Sequence, residues 1–324
     1  MVSPAAQLKI VRCAWSIEKS IEMNLSAHHP FRSAKAKTEY LALYDEAAKD
    51  WPVASECEMV DTSYGQTSVR ISGPANASPL VLLPGGASCS LMWKPNVKPL
   101  SECHRVYAVD TLINTGCVGR SVYTRTLKGP NDVVNWLDEL FSELELEDNI
   151  DLVGASYGGW LTSQYALRLP KRLSKIVLLA PAATIFRVRV GFYIRGLIPG
   201  LVHLESVHRR FLHWIFRDLA REDAEMVENM LNEGLVAVRC LKPANSMWVS
   251  PTNLKDRELR SIEVPTLLLV GENEAMYSAQ RAIQRVNTMA PQIQTEIIPQ
   301  AGHDLTMVRS KVVNQKILEF LAQS

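Results

Sequence analysis

No stretch of this sequence stays apolar long enough to cross a bilayer. Its longest apolar runs, such as Ile176 to Ala180, are strand-sized, far short of the roughly 20 residues a membrane helix needs. Net charge is nearly absent as well. With 35 Lys and Arg against 34 Asp and Glu, no overall field gathers nucleic acid or an anionic membrane, so a small molecule is the expected partner. Cysteine is sparse, and Cys13, Cys57, Cys89, Cys103, Cys117 and Cys240 form neither a Cys-x-x-Cys pair nor a zinc-like spacing with histidine. They read as free thiols of a reducing compartment. No G-x-G-x-x-G or Walker lysine follows Gly85-Gly86, which argues against a phosphate site. The first residues lack the uninterrupted apolar core of a signal peptide, because Lys9 and Arg12 break it. These absences predict a cytoplasmic protein with no cofactor, no metal and no membrane span. They leave the oligomeric state open.

What remains is ordinary globular composition, 47% apolar and 21% charged over 324 residues. That length fits one large α/β domain with an insertion or two small domains. Apolar Leu8, Val11, Trp15 and Ile21 fall near helical spacing, so residues 5–23 predict an amphipathic helix. The pattern breaks at His28-His29-Pro30, and a second helix is expected over residues 38–48. From Glu56 the period changes. Residues 56–62 and 67–72 flank Tyr64-Gly65 as a hairpin would. Short apolar runs follow at 79–83, 106–109, 150–153, 176–179 and 266–270, with helical spacing at 131–144, 160–169, 279–289 and 310–321. Near-continuous apolar runs suit strands buried on both faces of a parallel sheet. The fold class is therefore α/β, a mostly parallel, doubly wound sheet with an antiparallel start.

The interval between Ala180 and Thr266 is longer than one crossover needs. It carries Phe186, Phe192, Phe211 and Trp214, several arginines, and helix-like patterning over 204–231. We expect a helical cap at 183–256 over the carboxyl edge of the sheet, where open α/β sheets bind ligands. The core then comprises residues 51–182 and 257–324, and residues 1–50 form a helical extension.

Chemistry concentrates at Gly154-Ala155-Ser156-Tyr157-Gly158. As a bare string G-x-S-x-G is common. Here it follows the strand Asp151-Leu152-Val153 and opens a helix, the context of a nucleophile elbow. Such a serine needs a base, and the base needs an orienting carboxylate, in the chain order serine, acid, histidine. Of the histidines after Ser156, His203, His208 and His213 lie in the expected cap, five apart, and share no helical face. His303, in Gln300-Ala301-Gly302-His303-Asp304, sits in a turn between the strand-like 294–298 and the last helix and is the base candidate. Both Glu272 and Glu274 follow the strand ending at Val270. Glu274, further past the strand end, is the preferred acid. Asp304 neighbours His303 too closely along the chain to grip its Nδ1, and surface solvation or loop bonding accounts for it. Two backbone amides must also face the oxyanion. The Tyr157 N–H is one, and Gly86 in Pro84-Gly85-Gly86-Ala87-Ser88 is chosen as the other.

These residues, in this order, resemble the α/β-hydrolase superfamily, and within it the bacterial carboxylesterases of the naproxen esterase type. The likeness runs from about residue 40 to the end through Trp51-Pro52-Val53, Tyr64-Gly65-Gln66-Thr67, Ser72-Gly73-Pro74, Met92-Trp93, Asn135-Trp136-Leu137, Gly271-Glu272-Asn273-Glu274 and Ala301-Gly302-His303. It implies ester hydrolysis by a serine, glutamate and histidine triad, and it supports Glu274 as the acid. Two departures stand out: Pro84 where relatives carry histidine, and Thr111 to Gly119 in place of a shorter glycine-and-aspartate loop. Both border the acyl side of the site. A serine at the elbow excludes dehalogenase and epoxide-hydrolase chemistry, which uses aspartate there. Carbon-carbon bond hydrolysis, peptide hydrolysis, acyl transfer and a non-catalytic ligand sensor are the alternatives that share the fold.

Overall fold

A computed structural model describes residues 30–113, 117, 119–201, 204–242 and 249–323. The expected helix at 5–23, His28-His29 and His203 lie outside the described residues. Helix α1 (Ala34–Ala48) begins at Ser33, whose hydroxyl accepts the Ala36 amide. Strands β1 (Ser55–Thr62) and β2 (Gly65–Ser72) then form the expected hairpin, paired antiparallel from Ser55 against Ser72 to Thr62 against Gly65. Strand β3 (Pro79–Leu83) follows, then α2 (Lys94–Ser101), β4 (Arg105–Val109), the two-residue β5 (Val122–Tyr123) and α3 (Pro130–Glu143). The centre of the chain supplies β6 (Ile150–Ala155), α4 (Tyr157–Arg168) and β7 (Leu173–Leu179).

Between β7 and the next strand lie α5 (Val190–Leu201), α6 (Glu205–Ile215), α7 (Arg217–Glu222), α8 (Ala224–Cys240) and α9 (Asp256–Arg260). The pattern over 204–231 thus spans three helices. It is cut at Phe216 and again at Asp223, whose carboxylate caps α8 through the Met226 amide. Strand β8 (Thr266–Gly271), α10 (Ala279–Met289), β9 (Gln294–Ile298), α11 (Leu305–Val308) and α12 (Ser310–Leu321) complete the chain.

The sheet runs β1-β2-β4-β3-β6-β7-β8-β9, with β5 added to β2. Pairings from β4 through β9 are parallel, and those made by β2 are antiparallel. Alternation of side chains along each strand feeds two cores, one on each face. Val81, Leu83, Leu152, Ile176 and Leu178 enter the core built with Trp136 of α3 and Trp160 of α4. Leu80, Leu82, Val153, Val177 and Leu179 enter the other, with Val97 of α2 and Ile317 of α12. Each such side chain contributes about 1.5–3 kcal/mol by leaving water. The sheet is thereby pinned between two helical layers, and its strand ends become fixed points for loops.

Helix α1 does not stand apart. The Arg32 amide donates to Cys240 O at 2.9 Å, the Lys242 amide to Pro30 O at 2.7 Å, and Phe31 and Tyr40 share a small core with Ala237 and Cys240 of α8. Among the described residues no helix is long and apolar enough to cross a membrane.

Candidate active site

Ser156 stands where β6 turns into α4, in a conformation few residues tolerate: φ is +50° and ψ −111°. Backbone in such a region costs of order 1–3 kcal/mol and persists only where its surroundings enforce it. Here they do. A methyl on Gly154 would lie 2.2 Å from Gly158 O, and one on Gly158 would lie 2.2 Å from Leu83 O. Only glycine fits at either position. The Ser156 amide donates to Leu179 O at 2.8 Å, and its carbonyl accepts from Gly159 at 3.0 Å and Ala182 at 2.9 Å. The turn therefore presents the hydroxyl at the N-terminus of a twelve-residue helix, where the peptide dipoles favour developing negative charge.

His303 Nε2 lies 2.9 Å from Ser156 Oγ, and His303 Nδ1 lies 3.1 and 3.0 Å from the two oxygens of Glu274. Three residues from the ends of β6, β8 and β9 are brought into one hydrogen-bonded line. Glu274 is buried, and its Oε1 also accepts the Met276 amide at 2.8 Å. That second bond fixes which way the carboxylate faces. The acid and histidine loops are tied together, since the Asn273 amide donates to Ala301 O at 2.8 Å and the Glu272 amide to Ile298 O at 2.9 Å.

Burial alone would push the His303 imidazole down. The charge of Glu274, its hydrogen bond and the charge of Asp304 outweigh burial and hold the ring above the ordinary histidine value of 6.5. A base so tuned is neutral, and able to accept a proton, only above that raised value.

The structure separates the two glutamates clearly. Glu272 is exposed and accepts the Gln300 amide at 3.1 Å, while Glu274 faces the imidazole. Of the other histidines, His208 Nδ1 lies 3.1 Å from Leu204 O within α6, and His213 Nε2 lies 3.0 Å from Glu228 of α8. The first contact is local to the start of α6, and the second ties α6 to α8. Among the described residues no cluster of His, Cys, Asp or Glu is arranged to hold a metal.

The two expected oxyanion donors occupy different surroundings. Tyr157 is the first residue of α4, and first-turn amides have no acceptor within their own helix. Its ring is buried, with the hydroxyl donating to Val249 O at 2.6 Å. Gly86 lies on an exposed part of its loop, next to Ala87 at a φ of +55°. The preceding amide, Gly85 N–H, points to Met92 Sδ at 3.2 Å.

Several residues that hold this site are not among the sequence candidates. Asp110, at the end of β4, is fully buried and accepts from Tyr44 Oη at 3.0 Å, the Ser90 amide at 2.8 Å and the Arg120 amide at 2.9 Å. One carboxylate thus joins α1, the loop after β3 and the loop after β4. Asp304 is not solvated, as one reading of the sequence allowed: it is 1% exposed and bonded to backbone on both oxygens. The usable signal for both was position, an aspartate at a strand or turn end inside an apolar context.

Known proteins resemble this chain over most of its length. The model of the alpha/beta hydrolase family matches residues 80–316. Carboxylesterase YbfK of Bacillus subtilis (strain 168) is 33% identical over 299 residues, covering 90% of this chain and 96% of that one. The carboxylesterase nap of the same strain is 34% identical over 293 residues, 87% and 91% of the respective chains. The crystal structure of naproxen esterase (carboxylesterase NP) from Bacillus subtilis superposes with a TM-score of 0.80 at 32% identity, covering 89% of this chain and 99% of that one.

Proposed function

The chain belongs to the α/β hydrolase family, and from that membership we propose that it is a serine carboxylesterase with Ser156 as nucleophile, His303 as base and Glu274 as the orienting acid. One observation carries the proposal, the continuous line from Ser156 Oγ to His303 at 2.9 Å and on to Glu274 at 3.0 Å. A lone serine at a tight turn has no need of either partner.

In the first half-reaction His303 takes the Ser156 proton as Oγ attacks the ester carbonyl. Glu274 stabilises the imidazolium without accepting its proton. The amides of Tyr157 and Gly86 hold the oxyanion, each donor being worth on the order of a hundredfold to a thousandfold in rate. Collapse of the tetrahedral species breaks the bond to the alcohol, which leaves with the proton from His303. Water then adds to the acyl-serine with the same imidazole as base. The carboxylic acid departs, and Ser156 regains its proton.

The helices of residues 183–256 act as a cap in this reading, and a small-molecule ester is the partner. Ser156→Ala is expected to abolish hydrolysis of p-nitrophenyl butyrate while the circular dichroism spectrum and melting temperature stay as in the parent. Retention of full activity by that variant would remove the proposal.

A further inference from the structure

Two aspartates without a part in this reaction are buried against the triad. Asp304 is 1% exposed and Asp218 6%, burial that a carboxylate tolerates only with good partners. Asp304 follows His303 directly. Its Oδ1 accepts the Gly302 amide at 2.9 Å, and its Oδ2 accepts the Leu219 amide of α7 at 2.7 Å. Asp218, also in α7, accepts from Asn273 Nδ2 at 3.0 Å, and Asn273 directly precedes Glu274. The same short helix is therefore held once beside the base and once beside the acid.

The obvious local use of Asp304 is to cap α11, which it precedes. Its side chain makes no such cap bond and reaches across to α7 instead. Charges around the pair are disposed accordingly. Arg221 Nη1 lies 3.3 Å and Arg217 Nε 3.9 Å from Asp218, while Arg309 pairs with Glu222 of α7 at 2.7 Å.

We propose that Asp304 and Asp218 are positioning residues, two clasps through which α7 of the cap holds His303 and Glu274 in register with Ser156. This rests on the triad reading above. The Gly302 and Leu219 amides fix the backbone that carries His303, and the Asn273 bond fixes the backbone that carries Glu274. A misplacement of about 1 Å in such a line costs on the order of a hundredfold in rate.

Asp304→Asn keeps the shape but leaves one of the two backbone donors without an acceptor. It also removes one of the two negative charges, Glu274 and Asp304, that face His303; Asp218 and Arg309 face Asp304 from α7 and the chain before α12 and are unchanged. With p-nitrophenyl butyrate, kcat is expected to fall about tenfold to a hundredfold with KM within about twofold. The acid limb of kcat/KM against pH should move to lower pH, because the imidazolium has lost a favourable charge. Asn273→Asp sets a carboxylate against Asp218 while leaving Asp304 intact, and should lower kcat about fivefold to tenfold by releasing the acid side alone. If Asp304→Asn does not fold, Asn273→Asp decides the matter. A folded Asp304→Asn protein with a lower melting temperature but the parent's kcat and pH profile would overturn the proposal, as would parental kcat in Asn273→Asp. Activity surviving in Ser156→Ala would instead overturn the triad reading beneath it.

Discussion

The two sides of the proposed oxyanion site are built by opposite means. On the nucleophile side, between β6 and α4, backbone packs so closely that a single methyl at Gly154 or Gly158 would lie 2.2 Å from a carbonyl oxygen. On the other side, the Pro84 to Ser88 loop is partly exposed and is steadied by a contact between Gly85 N–H and a thioether. Steric closure leaves few residue types possible, so the first side writes a recognisable motif. The second side is open enough to admit many residue types. In the proposed reaction the rigid side would carry the chemistry, and the looser side would be free to vary with the acyl group.

The comparison can be tested from its strongest consequence downward. Glu274→Gln should lower kcat by about a thousandfold or more, since an amide in its place favours the wrong imidazole tautomer, as measured in steady-state ester hydrolysis. Gly158→Ala comes next. Overpacking of this kind costs typically 1–3 kcal/mol, and with backbone rather than side chain in the way the loss should reach the upper end, read as the drop in unfolding free energy in urea, together with most of the activity.

The pH dependence follows from His303. Because the imidazole is held above 6.5, kcat/KM should decline as pH falls through that raised value, and Glu274→Gln should shift the midpoint downward. An activity midpoint well below 6.5 in the parent would contradict the assignment.

Met92→Leu tests the looser side. It preserves bulk but removes the acceptor of the Gly85 amide, a bond worth about 1 kcal/mol or about fivefold. The effect should appear as a changed ratio of butyrate to acetate hydrolysis, with little change in melting temperature. Smallest of all, Glu272→Gln should alter kcat by less than about twofold, as expected of an exposed carboxylate bonded to one backbone amide.

Much of this arrangement was legible before any coordinates, for physical reasons that differ by element. Strands buried on both faces advertise themselves as unbroken apolar runs, and the antiparallel hairpin at Tyr64-Gly65 was marked by its change of period. Ser156, Glu274 and His303 could be singled out as candidates because the fold constrains their order and places each at a strand end. Helix α2 escaped notice because Pro95 and Pro99 look like breakers, yet one sits in the first turn and the other is tolerated within eight residues. Strand β5, two residues long, has no periodicity to read. Asp110, Asp218 and Asp304 were undervalued for a different reason. Their partners come together only in the fold: the Tyr44 hydroxyl and the Ser90 amide for Asp110, the Asn273 side chain for Asp218 and the Leu219 amide for Asp304.

The central claim is that Ser156 forms the covalent intermediate, and the most direct measurement is peptide mass spectrometry after treatment with a fluorophosphonate. The account predicts one stoichiometric adduct, on the peptide containing Gly154 to Gly158 and localised to Ser156, absent from Ser156→Ala and formed far more slowly in Glu274→Gln. An adduct on another residue, or none on an enzyme that still hydrolyses esters, would contradict it.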